Sequence, residues 1–307
     1  MVRCRLVARD LKKGDKDRGD LFAATPPLEA LRFVLSKAAT RDGDGAVNKK
    51  LMFMDAKKAH LNSRCEEKVY IVLPDEANHG PGKCGRLNFW LYGFRPAAQA
   101  WEDFYSRCFR EVGFTRGMGC PVVFRHVGRD IDIAVHGDDF VVAALPKQLH
   151  WIREKIESWF ETKVRGMLGP DAGDDKQITF LGRIVEWTES GIEFQADPKH
   201  RQMVIDLYQF NDRTKAVVTN GVPLTDKEMS EMKEGEKLNE AGSTRFRATV
   251  ARLNFLSQDC PQIQFAVKGL SRHGRADGCV GHTTEGNVPI PIGMVESEVR
   301  ISLSGQT

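Results

Sequence analysis

The chain has 307 residues, a formal net charge of +3 and 41% hydrophobic residues, enough to bury a substantial core in one elongated domain or two smaller ones. Its seven cysteines are odd in number and include no Cys-x-x-Cys pair, which argues against a disulfide framework and a zinc ribbon. The apolar runs are shorter than a membrane span, and the N-terminus lacks the apolar core of a signal peptide. We therefore expect a soluble intracellular protein with no membrane partner.

The first elements in chain order are a helix and a buried strand. Leu28, Leu31 and Leu35 fall at helical spacing. The run "LMFMDA" has the length of a strand, and its apolar residues end at the charged Asp55. A carboxylate at the end of an otherwise apolar strand is unusual, because a buried charge is costly without a partner.

Helices and strands then alternate. Apolar spacing predicts a helix around Ala100 to Val112 and another beginning near Pro146. Strand-like runs are "PVVFRHV", "IDIAV", "ITFLGRIVEW" and "IEFQA", of which the last two are expected to form one hairpin. The order β-α-β-β-α-β predicts an α+β fold with a ferredoxin-like antiparallel sheet and the helices on one face.

The stretch "IDIAVHGDDFVVAA", residues 131–144, predicts a hairpin that carries two adjacent acids, Asp138 and Asp139, at its turn. Taken alone, the pair is compatible with a solvated turn or with a catalytic carboxylate pair. In the predicted fold the strand that ends at Asp55 can lie beside this hairpin, so three carboxylates would converge. Clustered acids need a positive charge between them, and hard divalent cations favour oxygen ligands. The pattern points to magnesium-dependent phosphate chemistry.

Several motifs, in this order along the chain, resemble the reverse transcriptase region of copia-type retrotransposon polyproteins. The resemblance runs from about residue 3 to 273. The matching stretches are "RCRLVAR", "DAKKAHLNS" from Asp55, "EEKVYIVLP", "LYGFRPAAQAW", "HGDD" at the place of the family's Tyr-Val-Asp-Asp, "FLGRIVEW" and "FRATVARLNFLSQDCPQIQFAVKGLSR".

The resemblance implies a right-hand polymerase, an RNA-directed DNA polymerase whose partners are an RNA or DNA template with its primer and dNTPs. The implied domains are partial fingers at 1–50, a palm with an embedded finger segment and the catalytic hairpin at 51–195, thumb-like or connection-like helices at 196–273, and a weakly ordered tail at 274–307. We expect the chain to be a fragment of a polyprotein or a decaying element.

The resemblance also implies the site. Asp55, Asp138 and Asp139 would be the catalytic carboxylates and would hold two Mg²⁺ ions, for which Mn²⁺ could substitute. The other implied substrate-binding positions are Arg3, Arg5, Ala56, Ala59, His60 and Gly93, and the implied primer grip is Leu181 and Gly182. Two alternatives stay open: the arginines as an ordinary basic surface, and the Leu181-Gly182 pair as a plain β-turn.

Several residues, including His136, depart from the family pattern. His60 stands where the family has an aromatic residue that packs under the sugar, Pro96 stands at a shifted position before the next helix, and Gly137 precedes the acids, where a glycine is expected to loosen the strand. The residue His60 puts the discrimination between deoxy- and ribonucleotides in question. Pro96 and Gly137, together with truncation relative to the family, favour a second function: a catalytically decayed remnant that keeps the fold and only binds nucleic acid.

Overall fold

The computed structural model describes residues 6–10, 21, 23–40, 49–80, 82–210, 239–273 and 301–303. The α-helices are α1 (Leu28–Ala39), α2 (Ala97–Glu111), α3 (Pro146–Trp159), α4 (Pro198–Tyr208), α5 (Glu240–Ser257) and α6 (Pro261–His273). The strands are β1 (Lys50–Ala56), β2 (Tyr70–Val72), β3 (Cys84–Arg86), β4 (Thr115–Arg116), β5 (Val123–His126), β6 (Ile131–His136), β7 (Asp139–Ala144), β8 (Thr162–Leu168), β9 (Gln177–Phe180), β10 (Arg183–Thr188), β11 (Gly191–Ala196) and β12 (Ile301–Leu303).

A six-stranded sheet organises the first of two compact units, which comprises mainly residues 1–176. Its strand order is β4-β5-β6-β7-β1-β8, and every neighbouring pair is antiparallel. The predicted order needs one correction: the strand after α3 in this sheet is β8, which the sequence did not predict, whereas "ITFLGRIVEW" forms β9 and β10 of another sheet. With β8 in that place, β1, α2, β6, β7, α3 and β8 occur in the order β-α-β-β-α-β. The fold is therefore α+β, and the predicted adjacency of the Asp55 strand and the acidic hairpin is confirmed.

The two faces of this sheet are covered by different helices. Met52 and Met54 of β1 belong to a buried cluster with residues of α2 and α3, as the predicted placement of both helices on one face requires. Leu51 and Phe53 are also fully buried but point to the opposite face, because side chains alternate along a strand. On that face α1 lies against β1, β6 and β7.

Helix α2 begins directly after Pro96, where a proline is well tolerated because the first N–H groups of a helix have no partner within it. Its inward face carries Trp101, Tyr105 and Phe109, which contact Phe140 of β7 edge-on at centroid distances of 6.4, 5.9 and 6.1 Å. This aromatic cluster joins α2 to the middle of the sheet.

The second compact unit contains residues 177–186 and 193–302. Its strands belong to a sheet of order β12-β11-β10-β9, and α4, α5 and α6 share a small core that includes Val204, Leu253 and Val267. The single strand predicted for "ITFLGRIVEW" is wrong. Leu181 and Gly182 have φ values of 50° and 72° and form a turn between β9 and β10.

Three further expectations concern the C-terminal helices, the tail, and the cysteines and membrane spans. The helices predicted for 196–273 are present as α4 to α6, whereas their assignment to a thumb or connection stays a prediction. Of the tail at 274–307, the structure describes only β12. The five cysteines in the described part of the chain are free, and no helix there is long and apolar enough to cross a membrane.

Replacing Phe140 with alanine should lower the free energy of unfolding by about 3–5 kcal/mol, because the ring is fully buried and its loss leaves a cavity. Urea unfolding followed by tryptophan fluorescence measures this, since Trp101 contacts the ring. Phe33→Ala is the matched control: Phe33 is 51% exposed on α1, and its loss should cost under about 1 kcal/mol. Equal costs for the two variants would contradict the assigned core.

Candidate active site

Asp55 and Asp139 face each other across two neighbouring strands. Asp55 of β1 is the register partner of Asp139 of β7, so both side chains lie on the same face of the sheet. The backbone N–H of Ala56 donates to the carbonyl oxygen of Asp138 at 2.7 Å, which ties the end of β1 to the hairpin turn. The three predicted catalytic carboxylates are thus carried by one small region of backbone.

The turn that carries Asp138 has a defined geometry. Gly137 and Asp138 are the two residues between His136 and Asp139, which pair with each other, and Gly137 has a φ of 64°. A type II′ hairpin turn needs positive φ at this first position, which glycine adopts without strain. The indole N–H of Trp101 donates to the carbonyl oxygen of Gly137 at 2.8 Å. The expectation that Gly137 loosens a strand is therefore wrong, because it is a turn residue held by α2.

Four paired residues form a row across the sheet at this level. His136 pairs with Asp139, Asp139 with Asp55, and Asp55 with Lys163 of β8. Directly paired residues point to the same face, so two acids lie side by side with a basic residue next to each. Beside this row, Asp138 is exposed in the turn.

Arg165 contacts both acids of the row. Its Nη2 atom lies 3.3 Å from Oδ1 of Asp55 and 3.1 Å from Oδ1 of Asp139. The first contact is also a hydrogen bond, in which the guanidinium donates. Oδ1 of Asp139 is buried and accepts no hydrogen bond with proper geometry in the described structure. The ion pair with Arg165 thus leaves one acceptor oxygen at the centre of the site incompletely satisfied.

The surroundings of Asp139 disfavour its charge. Burial raises the pKa of Asp139 above its ordinary value, and the neighbouring Asp138 and Asp55 raise it further, while Arg165 and His136 lower it. A carboxyl group whose ionised form is disfavoured in the isolated protein gains from any additional cation nearby.

The three carboxylates fit a hard divalent cation by donor type, since Mg²⁺ favours carboxylate oxygens and Oδ1 of Asp139 has acceptor capacity left. In the present side-chain arrangement, however, no group of three His, Cys, Asp or Glu residues among those described is placed to hold a metal ion. The cationic group between Asp55 and Asp139 is the guanidinium of Arg165. Metal binding by these residues stays a prediction.

The predicted nucleotide-pocket residues Ala56 and Ala59 are 1% and 2% exposed and belong to the core beneath the site. The backbone N–H groups of Ala56 and Lys57 already donate to Asp138 and Glu161. These groups therefore hold the ends of β1, β7 and β8 together. A role for this backbone in bounding a nucleotide stays a prediction.

His60 lies in the short 3-10 helix that follows β1 and stacks on Tyr92, with ring centroids 4.4 Å apart. Its Nδ1 atom is buried without a hydrogen-bond partner among the described residues. Burial lowers the pKa of His60, with Asp138 acting in the opposite direction, so the ring is neutral at pH 7. A neutral imidazole with an unused nitrogen can still donate or accept one hydrogen bond.

Gly93 has a φ of 93°, and a Cβ atom there would lie 2.1 Å from the carbonyl oxygen of Ala8. The absence of a side chain at Gly93 therefore lets the backbone of residues 6–10 pass close by. The backbone N–H of Ala8 also donates to the carbonyl oxygen of Tyr92 at 2.8 Å. The predicted triphosphate contacts Arg3 and Arg5 directly precede this segment and lie outside the described residues.

The predicted primer-grip residues, Leu181 and Gly182, belong to the second compact unit. They form the β9–β10 turn, and a Cβ atom at Gly182 would lie 3.3 Å from the ring of Phe255. The structure thus supports the β-turn alternative for this pair, and its role toward a primer stays a prediction.

Sequence reasoning missed Arg165, Tyr92 and the hydrogen bond of Trp101. Arg165 was missed because no strand was predicted for the residues of β8. The strand also pairs irregularly: its register shifts between Phe53 and Met54, which leaves Arg165 without a partner residue. No spacing rule marks such a bulge. The available signal in the sequence was the spacing of Lys163 and Arg165, because residues two apart in a strand point to the same face.

Comparison with known proteins identifies a family and several similar curated proteins. Residues 2–173 match the family described as "Reverse transcriptase (RNA-dependent DNA polymerase)". A transposon Ty5-1 protein of Saccharomyces cerevisiae is 28% identical over 145 residues, which are 45% of this chain and 44% of that protein. The match therefore spans less than half the length of this relative. The matched family region includes all three carboxylates and Arg165.

Asp139→Asn should stabilise the metal-free protein increasingly as the pH rises from 4 through the raised pKa of Asp139 in the folded protein, with no further change above it. An acid whose pKa is raised by folding costs stability once the pH exceeds its ordinary pKa of 3.8, and the amide has no such cost. Urea unfolding in EDTA across this range measures the difference from the parent. The control Asp206→Asn, at an exposed position on α4, should show no such trend. A constant difference for Asp139→Asn, or one that shrinks toward pH 7, would contradict the assigned environment.

Proposed function

Because the chain belongs to the reverse transcriptase (RNA-dependent DNA polymerase) family, as a divergent copia-type member, we propose that it copies an RNA or DNA template by adding dNTPs to a primer 3′-hydroxyl. The observation that carries this proposal is the register pairing of Asp55 with Asp139, beside Asp138 in the adjoining turn. Polymerisation needs carboxylates fixed at one point on a rigid element, and paired strands provide that rigidity.

We interpret the six-stranded sheet with α2 and α3 as the palm of a right-hand polymerase. Asp55 and Asp139 lie on the face of this sheet that α1 packs against. The small β2–β3 sheet and residues 6–10, which contact Tyr92, would belong to the fingers. The helices α4 to α6 would form the thumb or connection.

In this proposal Asp55, Asp138 and Asp139 are the ligands of two Mg²⁺ ions. When bound, the ions supply a lower pKa for the attacking hydroxyl and neutralise charge on the phosphate oxygens. The chain itself fixes the carboxylates: the β1–β7 ladder sets the spacing of Asp55 and Asp139, and the Trp101 hydrogen bond to Gly137 holds the turn that carries Asp138.

Substrate recognition would come from residues around this cluster. The stacked pair of His60 and Tyr92 would offer an aromatic surface near Asp138. Arg3 and Arg5 supply guanidinium groups, whose planar donors suit phosphate oxygens. Lys163, opposite Asp55, adds a positive charge on the same face.

A second candidate function is supported by the guanidinium between the two acids. If the Arg165 ion pair holds permanently, the chain keeps the fold and its basic residues but lacks catalysis, and it binds nucleic acid only. Such binding would weaken steeply with salt, because it depends on phosphate contacts.

Primer extension on poly-rA with Mg²⁺ separates the two functions. The parent should extend the primer, and Asp55→Asn and Asp138→Asn should each lower the rate by about 10²–10³-fold, because each removes a charge that stabilises the transition state. Asp206→Asn, which removes an exposed acid from α4, should retain the parent rate.

Template affinity is measured beside the rate in the same samples. Affinity that is unchanged in the slow variants assigns the loss to chemistry and not to unfolding. No extension by the parent, with template binding intact, would contradict the polymerase proposal and favour the second candidate.

A further inference from the structure

A single nitrogen of Arg165 is shared by the two acids. Nη2 lies 3.3 Å from one carboxylate oxygen, on Asp55, and 3.1 Å from another, on Asp139. The guanidinium thus takes the place between two carboxylates in which a shared cation would lie. Two side-chain groups of like charge on directly paired residues repel each other, and this arrangement offsets that repulsion within the chain.

The reach of Arg165 depends on an irregularity in β8. Met54 pairs with Val164 and Phe53 pairs with Gly166, so Arg165 is an extra residue in the strand. A bulge of this kind redirects the side chain of the unpaired residue, and bulges occur often beside functional sites. The side chain of Arg165 is 37% exposed, so it has solvent-facing space to move into.

The ion pair satisfies Asp139 only in part. Oδ1 of Asp139 is buried, and although Arg165 lies within ion-pair distance, no donor among the described residues has hydrogen-bond geometry toward it. A buried carboxylate oxygen in this state is costly. A cation that contacts Oδ1 of Asp139 more favourably than the guanidinium does would therefore bind at this site.

We propose that Arg165 is a displaceable internal counter-cation: it neutralises the Asp55–Asp139 pair in the metal-free protein and must leave before the two carboxylates can share a divalent cation. The inference rests on the proposed function, because it takes these carboxylates as the metal ligands. Arg165 is a positioning residue in this scheme. It keeps the acids in place without metal, and it competes with metal for the same oxygens.

The test measures metal affinity without catalysis. The full chain is titrated with Mn²⁺ in the absence of nucleic acid, and free Mn²⁺ is followed by electron paramagnetic resonance. Arg165→Gln should bind Mn²⁺ roughly tenfold more tightly than the parent, because two partly exposed ion pairs no longer compete. The Mn²⁺ affinity of Arg165→Lys should lie between those of the parent and of Arg165→Gln, because the ammonium group of lysine is a poor substitute for the planar guanidinium group.

Equal or weaker Mn²⁺ binding by Arg165→Gln would overturn the proposal, because the arginine would then either move freely or support the metal. Circular dichroism of each variant checks the fold. If Arg165→Gln does not fold, the charge-conserving Arg165→Lys decides alone, and an affinity equal to that of the parent would overturn the proposal.

Failure of the proposed function gives a different result. Asp55→Asn and Asp139→Asn are titrated in the same way, and each should weaken Mn²⁺ binding at least tenfold. If neither changes the affinity, the metal binds elsewhere, and the carboxylate assignment fails whatever the behaviour of Arg165.

Discussion

The register between β1 and β7 is the constraint on which the rest of the site depends. A slip of one residue would turn Asp55 to the face occupied by α2 and α3 and separate it from Asp139. The register is specified by the charged end of β1, because a one-residue slip would place Asp55 in the apolar core that β1 shares with α2 and α3. The core therefore determines where the acids meet.

The pairing of these strands places two acids side by side, which has an electrostatic cost. The raised pKa of Asp139 shows that burial and neighbouring acids together disfavour its ionised form. Arg165 and His136 lower the pKa of Asp139 and so offset part of this cost.

Much of the fold follows from the sequence because its signals are local and strong. The apolar spacing of α1, α2 and α3 and the turn chemistry around Gly137 are complete within short windows. The two acidic positions could be brought together from element order alone. The β-turn at Leu181-Gly182 was one of two alternatives that the sequence left open, because the apolar residues around it are continuous. The Arg165 bulge was missed because it arises from pairing with a distant strand.

The role of individual site residues was harder to predict for the same physical reason. The surroundings of Ala56 and Gly93 are set by contacts to Asp138 and Ala8, which sequence spacing does not encode. The same holds for His60, whose neutral state depends on burial against Tyr92.

The most direct test of the account is anomalous X-ray diffraction from crystals of the full chain grown with Mn²⁺. We predict a peak about 2.1–2.2 Å from carboxylate oxygens of both Asp55 and Asp139, with the Arg165 guanidinium moved away from them. A guanidinium still bridging the two acids, with Mn²⁺ bound at other residues or not at all, would contradict the account.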